Sequence, residues 1–287
     1  MSNNKYEDRI DFVTVIFKKY YNAKVLVDSI ERYVDYPHKI YIVNNGQNEG
    51  EDNGYDILTK MFKDNKNVEV VKGVNQINMD DGKYVPGKSG EKYSQDYYIK
   101  NYGFDGFTKY APKRQLGFAS WLQTEGMTIG IKKGNGKYIC NVEHDIAFLD
   151  KWTDDILPLL EDNVFVASLY RHDLNYARTD EWSVLKRETL ENNYYKESED
   201  LYPNCHFADT DGLISLWARE NDKPFHVVEN SLNDKSLKTK HVIDFPYGEE
   251  GFINGRPFLH HSSRGSMRNE DVDQLWVDSV YRRLNDV

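Results

Sequence analysis

Glu143 and Asp145 stand two positions apart at the end of the run Gly136-Lys137-Tyr138-Ile139-Cys140-Asn141-Val142. The run reads as a short apolar strand that stops abruptly in two carboxylates. A buried strand has no local use for acids at its carboxyl end. In an open α/β sheet, ligands sit in the crevice beyond the carboxyl ends of the strands. A hard divalent cation takes one or two carboxylates in such a place, together with phosphate oxygens. The pair is therefore suited to holding a metal ion against a diphosphate. The competing reading is two solvated acids in a turn.

The bulk composition is compatible with that use. A chain of 287 residues with 39% hydrophobic and 29% charged residues can bury a core, which argues against wholesale disorder. The net charge of −10 and the lack of a long basic run argue against general nucleic-acid binding. Cys140 and Cys205 are too few for a disulfide framework or a cysteine metal site. Buried free thiols fit a reducing compartment. No apolar run approaches the ~20 residues needed to span a bilayer, and residues 1–9 are polar. A cytoplasmic protein with no transmembrane segment is expected. The 21 tyrosines offer aromatic faces for sugar or base stacking, although core filling accounts for most of them.

The acids need a scaffold, and the patterning supplies one. Residues 12–17 (FVTVIF) form a continuous β-branched apolar run, hence a buried strand. Val25, Leu26, Ile30 and Tyr33 recur at helical spacing from Asn22 and stop before Tyr36-Pro37. A strand over 39–43, the turn Asn44-Asn45-Gly46, a helix over 55–62 and a strand over 68–71 follow. This alternation implies right-handed crossovers and a mostly parallel sheet. Residues 78–112 show no period and read as an inserted loop that covers a substrate, or as an exposed insertion. A helix over 115–132 leads into the acid-bearing strand. After it come an extended piece at 146–149, a helix over 152–160 and a strand over 164–169. A helix over 180–193, a helix over 211–220 and a short strand at 225–228 are expected next. A loop at 235–256, a late strand at 257–261 and a closing helix over about 270–285 complete the chain. With no repeat and no clean linker, one α/β domain over 1–287 is expected.

The order of these segments resembles the nucleotide-sugar-dependent glycosyltransferases of the GT-A fold, nearest to family 2. The likeness rests on four segments: Val13-Thr14-Val15-Ile16-Phe17 with its helix; Ile42-Val43-Asn44-Asn45-Gly46; Gly136 through Glu143-His144-Asp145 with Phe148-Leu149 and Trp152; and Ala208-Asp209-Thr210-Asp211. Asn44 stands where the family usually has an acid, and Glu143 where its DxD motif has the first aspartate. The resemblance implies a Rossmann-like, mostly parallel central sheet flanked by helices. It also implies sugar transfer from a nucleotide-diphosphate donor to a hydroxyl acceptor, with inversion and with Mn²⁺ or Mg²⁺, in glycan or polysaccharide synthesis.

The same resemblance distributes roles. Asp145 is the metal ligand, and Glu143 contacts metal, water or ribose. A late histidine, His260 or His261, completes the metal shell or touches the diphosphate; an imidazole suits Mn²⁺ better than Mg²⁺. Arg264 leads Arg256 and Arg268 as the phosphate-neutralising arginine. Asp211 is the general base for the acceptor hydroxyl, with Asp209 as support or alternative. For Asp211 the rival role is helix capping. Phe17, Tyr20 and Asn44 lie past the first two strands, where they stack on or bond to the nucleoside base, or simply fill core and turn. Trp121, Trp182 and Trp217 are sugar-stacking candidates or core. Two alternatives carry different chemistry: a sugar nucleotidyltransferase, and a non-catalytic carbohydrate- or nucleotide-binding domain. Against the first, Phe17-Lys18-Lys19-Tyr20-Tyr21 has no glycine for a phosphate loop.

Overall fold

In the first strand, β1 (Glu7–Ile16), side chains divide by parity, and that division builds the molecule. Ile10, Phe12 and Ile16 join one large apolar cluster. Asp11, Val13 and Val15 face the other side. The computed structural model describes residues 5–17, 19–46, 48, 50–51, 53–73, 76–77, 85–86, 118–171, 176–191, 213–231, 234, 236–237, 243, 245, 247–262 and 270–285.

Helix α1 (Tyr20–Tyr33) covers the first face and buries Val25, Leu26 and Ile30, the helical-period residues. It starts two residues earlier than its apolar pattern and ends at the extended Val34. Strand β2 (His38–Asn44) is followed by α2 (Gly54–Met61), whose N-cap Asn53 accepts from Asp56 N at 2.8 Å. Then come β3 (Val68–Lys72) and a small antiparallel pair, β4 (Gln76–Ile77) with β5 (Val85–Pro86). Apart from Val85 and Pro86, the 78–112 insertion lies outside the described residues.

Helix α3 (Phe118–Lys133) lies on the opposite face from α1. Its glycines explain the close approach. A Cβ on Gly126 would sit 2.9 Å from Val15 methyls, and one on Gly130 would sit 2.5 Å from Val13 Cγ1. Strands β6 (Gly136–Val142) and β7 (Ile146–Phe148) follow. Helix α4 (Thr153–Ile156) runs into a 3₁₀ segment, Leu157–Glu161. Pro158 at the start of that segment donates no amide, so the 152–160 helix does not continue as α. Next are β8 (Phe165–Arg171) and β9 (Tyr176–Lys186), then one turn at Arg187–Thr189. Helix α5 (Leu213–Glu220), β10 (His226–Val227), β11 (Glu229–Asn230), β12 (Glu249–Ile253), β13 (Arg256–His261) and α6 (Glu270–Asn285) complete the described chain.

The seven-stranded sheet has the order β10-β8-β9-β6-β1-β2-β3. Strands β6, β1, β2 and β3 run parallel, while β9 is antiparallel to both β6 and β8. The fold is thus mixed α/β with a mostly parallel central sheet. The chain first moves from β1 out to β3, then returns through α3 to β6 on the other side of β1. That reversal, with crossovers on opposite faces, makes the carboxyl ends of β1 and β6 a topological switch point. A second sheet, β11-β12-β13-β7, is antiparallel and joins the first through aromatic packing. Trp152 stacks on Phe148 with ring centroids 5.4 Å apart, and meets Trp182 edge-on at 5.6 Å. Trp182 in turn meets Phe258 at 5.3 Å. Trp182 is fully buried core and has no face for a sugar. The side chains of Trp121 and Trp217 lie outside the described residues.

Two further segments depart from the sequence reading. Residues 180–193, expected to be helical, begin as the second half of β9. Trp182 and Leu185, three positions apart with Glu181, Ser183 and Lys186 around them, imitate helical amphipathicity. The hydrogen bonds of two flanking strands, β6 and β8, outweigh that local preference. Residues 235–256, expected to be loop, contain β12. Gly248 and Gly251 read as breakers there. Gly248, at φ +89°, makes the entry turn, and Gly251 leaves room for Phe258, whose Cε1 would lie 3.1 Å from an added Cβ.

Candidate metal centre at the carboxyl edge of the sheet

Glu143 is the first residue past β6, and its amide donates to Glu181 O of β9 at 2.8 Å. Asp145 immediately precedes β7, and its carbonyl accepts from Ser262 N at 2.9 Å. That bond extends the β7–β13 ladder, in which Ile146 pairs with His261. Two acids near in sequence and one histidine more than a hundred residues later therefore meet through backbone pairing.

His261 Nε2 lies 3.1 Å from Glu143 Oε2 and 3.3 Å from Asp145 Oδ1. One ligand atom from each of the three falls within 4.8 Å of the others. On the far side of the ring, His261 Nδ1 lies 3.3 Å from Glu249 Oε1 and 3.7 Å from Glu181 Oε1. Asp145 is 4% exposed, His261 5%, Glu249 6% and Glu181 1%, so these groups meet in low dielectric. Glu143 is half-buried and opens the cluster toward solvent. Ser262 Oγ donates to Asp145 Oδ2 at 2.8 Å, and Gln123 Nε2 donates to Glu143 Oε1 at 3.4 Å.

The electrostatics follow from that crowding. Burial by itself would raise the Asp145 carboxyl. The His261 charge and hydrogen bond, helped by His144 and Ser262, instead hold it well below the usual carboxylate range. Burial would lower the His261 imidazole, yet Asp145, Glu181 and Glu143 push it well above its ordinary value. Without a cation, both ring nitrogens face carboxylates, so the ring is an imidazolium donating on both sides. Even so, among the described residues one positive charge faces four carboxylates. Buried negative charge in such excess is costly without further positive charge. Two carboxylates and an imidazole suit a borderline cation such as Mn²⁺ and leave room for phosphate oxygens.

Of the two candidate histidines, the structure brings only His261 to the acids. His260 faces the opposite way, as alternation along β13 requires. Its Nδ1 accepts from the Trp276 indole N–H at 3.2 Å, and Phe245 packs edge-on at 5.9 Å. His260 thus ties α6 to the second sheet. His260→Ala should lower stability by about 1–3 kcal/mol, because the buried Trp276 N–H loses its acceptor. Mn²⁺ affinity should stay unchanged. Urea denaturation and a Mn²⁺ titration of the same protein check both parts; a large loss of affinity would place His260 at the cation after all.

The nucleoside-side candidates lie on the same edge. Asn44 ends β2 and Phe17 follows β1, with Ile16 paired to Asn44. Since β1 separates β2 from β6, Asn44 and Glu143 stand roughly 10 Å apart, two strand spacings. Asn44 is fully buried; its Nδ2 donates to Asn48 Oδ1 at 2.9 Å, and Gly46 N donates to Asn44 Oδ1 at 3.3 Å. Tyr20 closes in from α1: a Cβ on Gly54 would lie 2.3 Å from its hydroxyl and 2.6 Å from Asn44 Oδ1. Phe17 and Tyr20 are half-buried.

Arg256 is not near the acids. It starts β13, about 17 Å of strand from His261, and pairs with Asp150 at 2.5 Å and Asp155 at 2.8 Å. Asp209, Asp211, Arg264 and Arg268 lie outside the described residues. Glu181 and Glu249 were not singled out from the sequence. Glu249 hid inside a glycine-flanked stretch read as loop, and Glu181 inside a stretch read as helix. The available signal was the strand alternation through Trp182 and Val184.

No protein-family model matches the chain, and no curated protein matches it in sequence. Among solved structures it is similar to the glycosyltransferase GlyE of Streptococcus pneumoniae TIGR4. The identity is 11% over 98% of this chain and 63% of that one, with a TM-score of 0.47. The chain thus spans less than two thirds of GlyE. It is also similar to the galactosyltransferase LgtC in complex with donor and acceptor sugar analogues. There the identity is 11% over 96% of each chain, with a TM-score of 0.46. A third structure is the mannosyltransferase PcManGT of Pyrobaculum calidifontis in complex with GDP-Man and Mn²⁺. Its identity is 13% over 65% of this chain and 47% of that one, with a TM-score of 0.34.

Proposed function

We propose that this chain is a metal-dependent glycosyltransferase of GT-A-like fold that moves a sugar from a nucleoside-diphosphate donor to a hydroxyl acceptor with inversion. The observation that carries the reading is the meeting of Glu143, Asp145 and His261 at the sheet's switch point. Glu143, Asp145 and His261 would hold the cation. When bound, a divalent cation neutralises the charge that develops on a departing diphosphate. Ser262 fixes the Asp145 carboxylate, and Gln123 restrains Glu143. His261 Nε2 points at both acids, so it would have to be deprotonated at that nitrogen to hold a cation between them. The nucleoside lies toward Phe17, Tyr20 and Asn44 on the same edge. Arg264 contributes positive charge to the phosphates. Asp211, supported by Asp209, takes the acceptor proton; this assignment rests on the sequence resemblance. Among the described residues no helix is long and apolar enough to cross a membrane.

The test is a thermal-shift screen with UDP-, GDP- and dTDP-sugars, each with Mn²⁺, Mg²⁺ or EDTA, followed by donor hydrolysis. A donor at 100 times its Kd should add about 2.7 kcal/mol of apparent stability, a shift of several degrees, and only with the cation. Cation-dependent hydrolysis should accompany it. Binding without hydrolysis or transfer would leave a non-catalytic binding domain, and no shift with any donor would remove the reading.

A further inference from the structure

We infer that Glu249 is a positioning residue: it holds His261 so that Nε2 presents its lone pair to the cation between Glu143 and Asp145. The inference rests on the cation site proposed above. In β12 and β13, Glu249 is the direct cross-strand partner of His261, so the two side chains emerge side by side on one face. Glu249 Oε1 lies 3.3 Å from Nδ1, and Glu249 is 6% exposed. Its other oxygen, Oε2, is buried and has no hydrogen-bond partner among the described residues. Its one hydrogen-bonding oxygen is thus spent on the imidazole. Glu181 stands behind it at 3.7 Å from the same nitrogen.

The chemistry needs such a group. A histidine ligates through a neutral ring, which carries one proton on one of two nitrogens. Glu143 and Asp145 are themselves good acceptors for a proton on Nε2, so left alone the ring can settle with its lone pair facing away from them. An ionised carboxylate accepts only, and at Nδ1 it keeps the proton there. Nε2 is then the ligating nitrogen, and the ring is more basic and fixed in orientation. Both strands are hydrogen-bonded ladder elements, so the carboxylate arrives preorganised rather than on a loop.

The experiment is a Mn²⁺ titration, read by the EPR signal of the free ion, on the full chain and on Glu249→Ala, Glu249→Gln and Asp145→Ala. Glu249→Ala should weaken Mn²⁺ affinity about 10–100-fold, the range for loss of an outer partner of a ligating histidine. Glu249→Gln, which keeps an acceptor oxygen without the charge, should lose less. In Mg²⁺-loaded protein labelled with ¹⁵N-histidine, the His261 Nδ1 signal should be that of a protonated nitrogen in the full chain and should change in Glu249→Ala. A merely structural role would leave that signal alone. If the full chain binds Mn²⁺ and Asp145→Ala does not, while Glu249→Ala binds like the full chain, this inference alone is overturned. Should Glu249→Ala not fold, Glu249→Gln decides, and affinity equal to the full chain overturns it. A full chain that binds no Mn²⁺ overturns this inference and the cation site together.

Discussion

Asp145→Asn should fold, bind Mn²⁺ far more weakly and lose nearly all donor turnover. Asparagine keeps the shape of the side chain and an oxygen for the Ser262 hydroxyl, so local packing is preserved. What it removes is a charge at 4% exposure, facing His261 Nε2 at 3.3 Å. In the metal-free protein the change is tolerable. His261 still has Glu143 at 3.1 Å and Glu249 at 3.3 Å, and the crowd of acids is reduced by one. If a cation held there assists leaving-group departure, as proposed, the loss is several kcal/mol of transition-state stabilisation. About 4 kcal/mol is roughly a thousandfold in rate. Donor hydrolysis in saturating Mn²⁺, with circular dichroism to verify folding, measures it. Turnover within about threefold of the parent would sink the cation reading.

Arg187→Met should produce the largest loss of stability, about 3–5 kcal/mol, without touching the candidate site. Arg187 follows β9 and is 3% exposed. Its Nη2 donates to Asp11 Oδ2 at 2.8 Å, its Nη1 to Ile131 O at 2.9 Å and its Nε to Gly136 O at 2.8 Å. One side chain thus neutralises a buried acid of β1, caps a carbonyl near the end of α3 and pins the start of β6. Asp11 is fully buried, and its remaining partners are Arg9 Nε at 2.8 Å and the Gly136 amide at 2.6 Å. The space is tight enough that a Cβ on Gly134 would sit 2.1 Å from Asp11 Oδ2. Removing the arginine leaves a buried carboxylate half compensated, while removing both charges is milder. Arg187→Met combined with Asp11→Asn should therefore recover part of the loss. Urea denaturation of the parent and the two variants tests it; a single-variant loss below about 1 kcal/mol would mean that Asp11 is held well enough without Arg187.

Local chemistry makes much of this legible in the amino-acid order alone. The β-branched run in β1, the helical spacing in α1 and the acid-tipped β6 each announce themselves within a dozen residues, because periodicity and burial act locally. The order of strands and helices then implied a parallel sheet with ligands at its carboxyl edge. Helix and strand are hardest to separate where neighbours decide. Residues 180–186 have polar spacing that suits either, and two flanking strands settled it. Residues 249–253 are flanked by glycines, and only pairing with β13 makes them a strand.

The amino-acid order alone established that Glu143 and Asp145 end a buried strand, and that two adjacent histidines lie near the end of the late strand. It could not choose between the histidines. That choice depends on which face of β13 turns toward Glu143 and Asp145, a matter of ladder register with β7 and β12 that changes with a single-residue slip. Nor could it place Glu181 and Glu249 around the ring, since their approach is made by backbone pairing between segments far apart in sequence. The charged environment of His261 is thus a property of the tertiary fold, because electrostatic coupling follows distance in space and the chain brings those distances about only on folding.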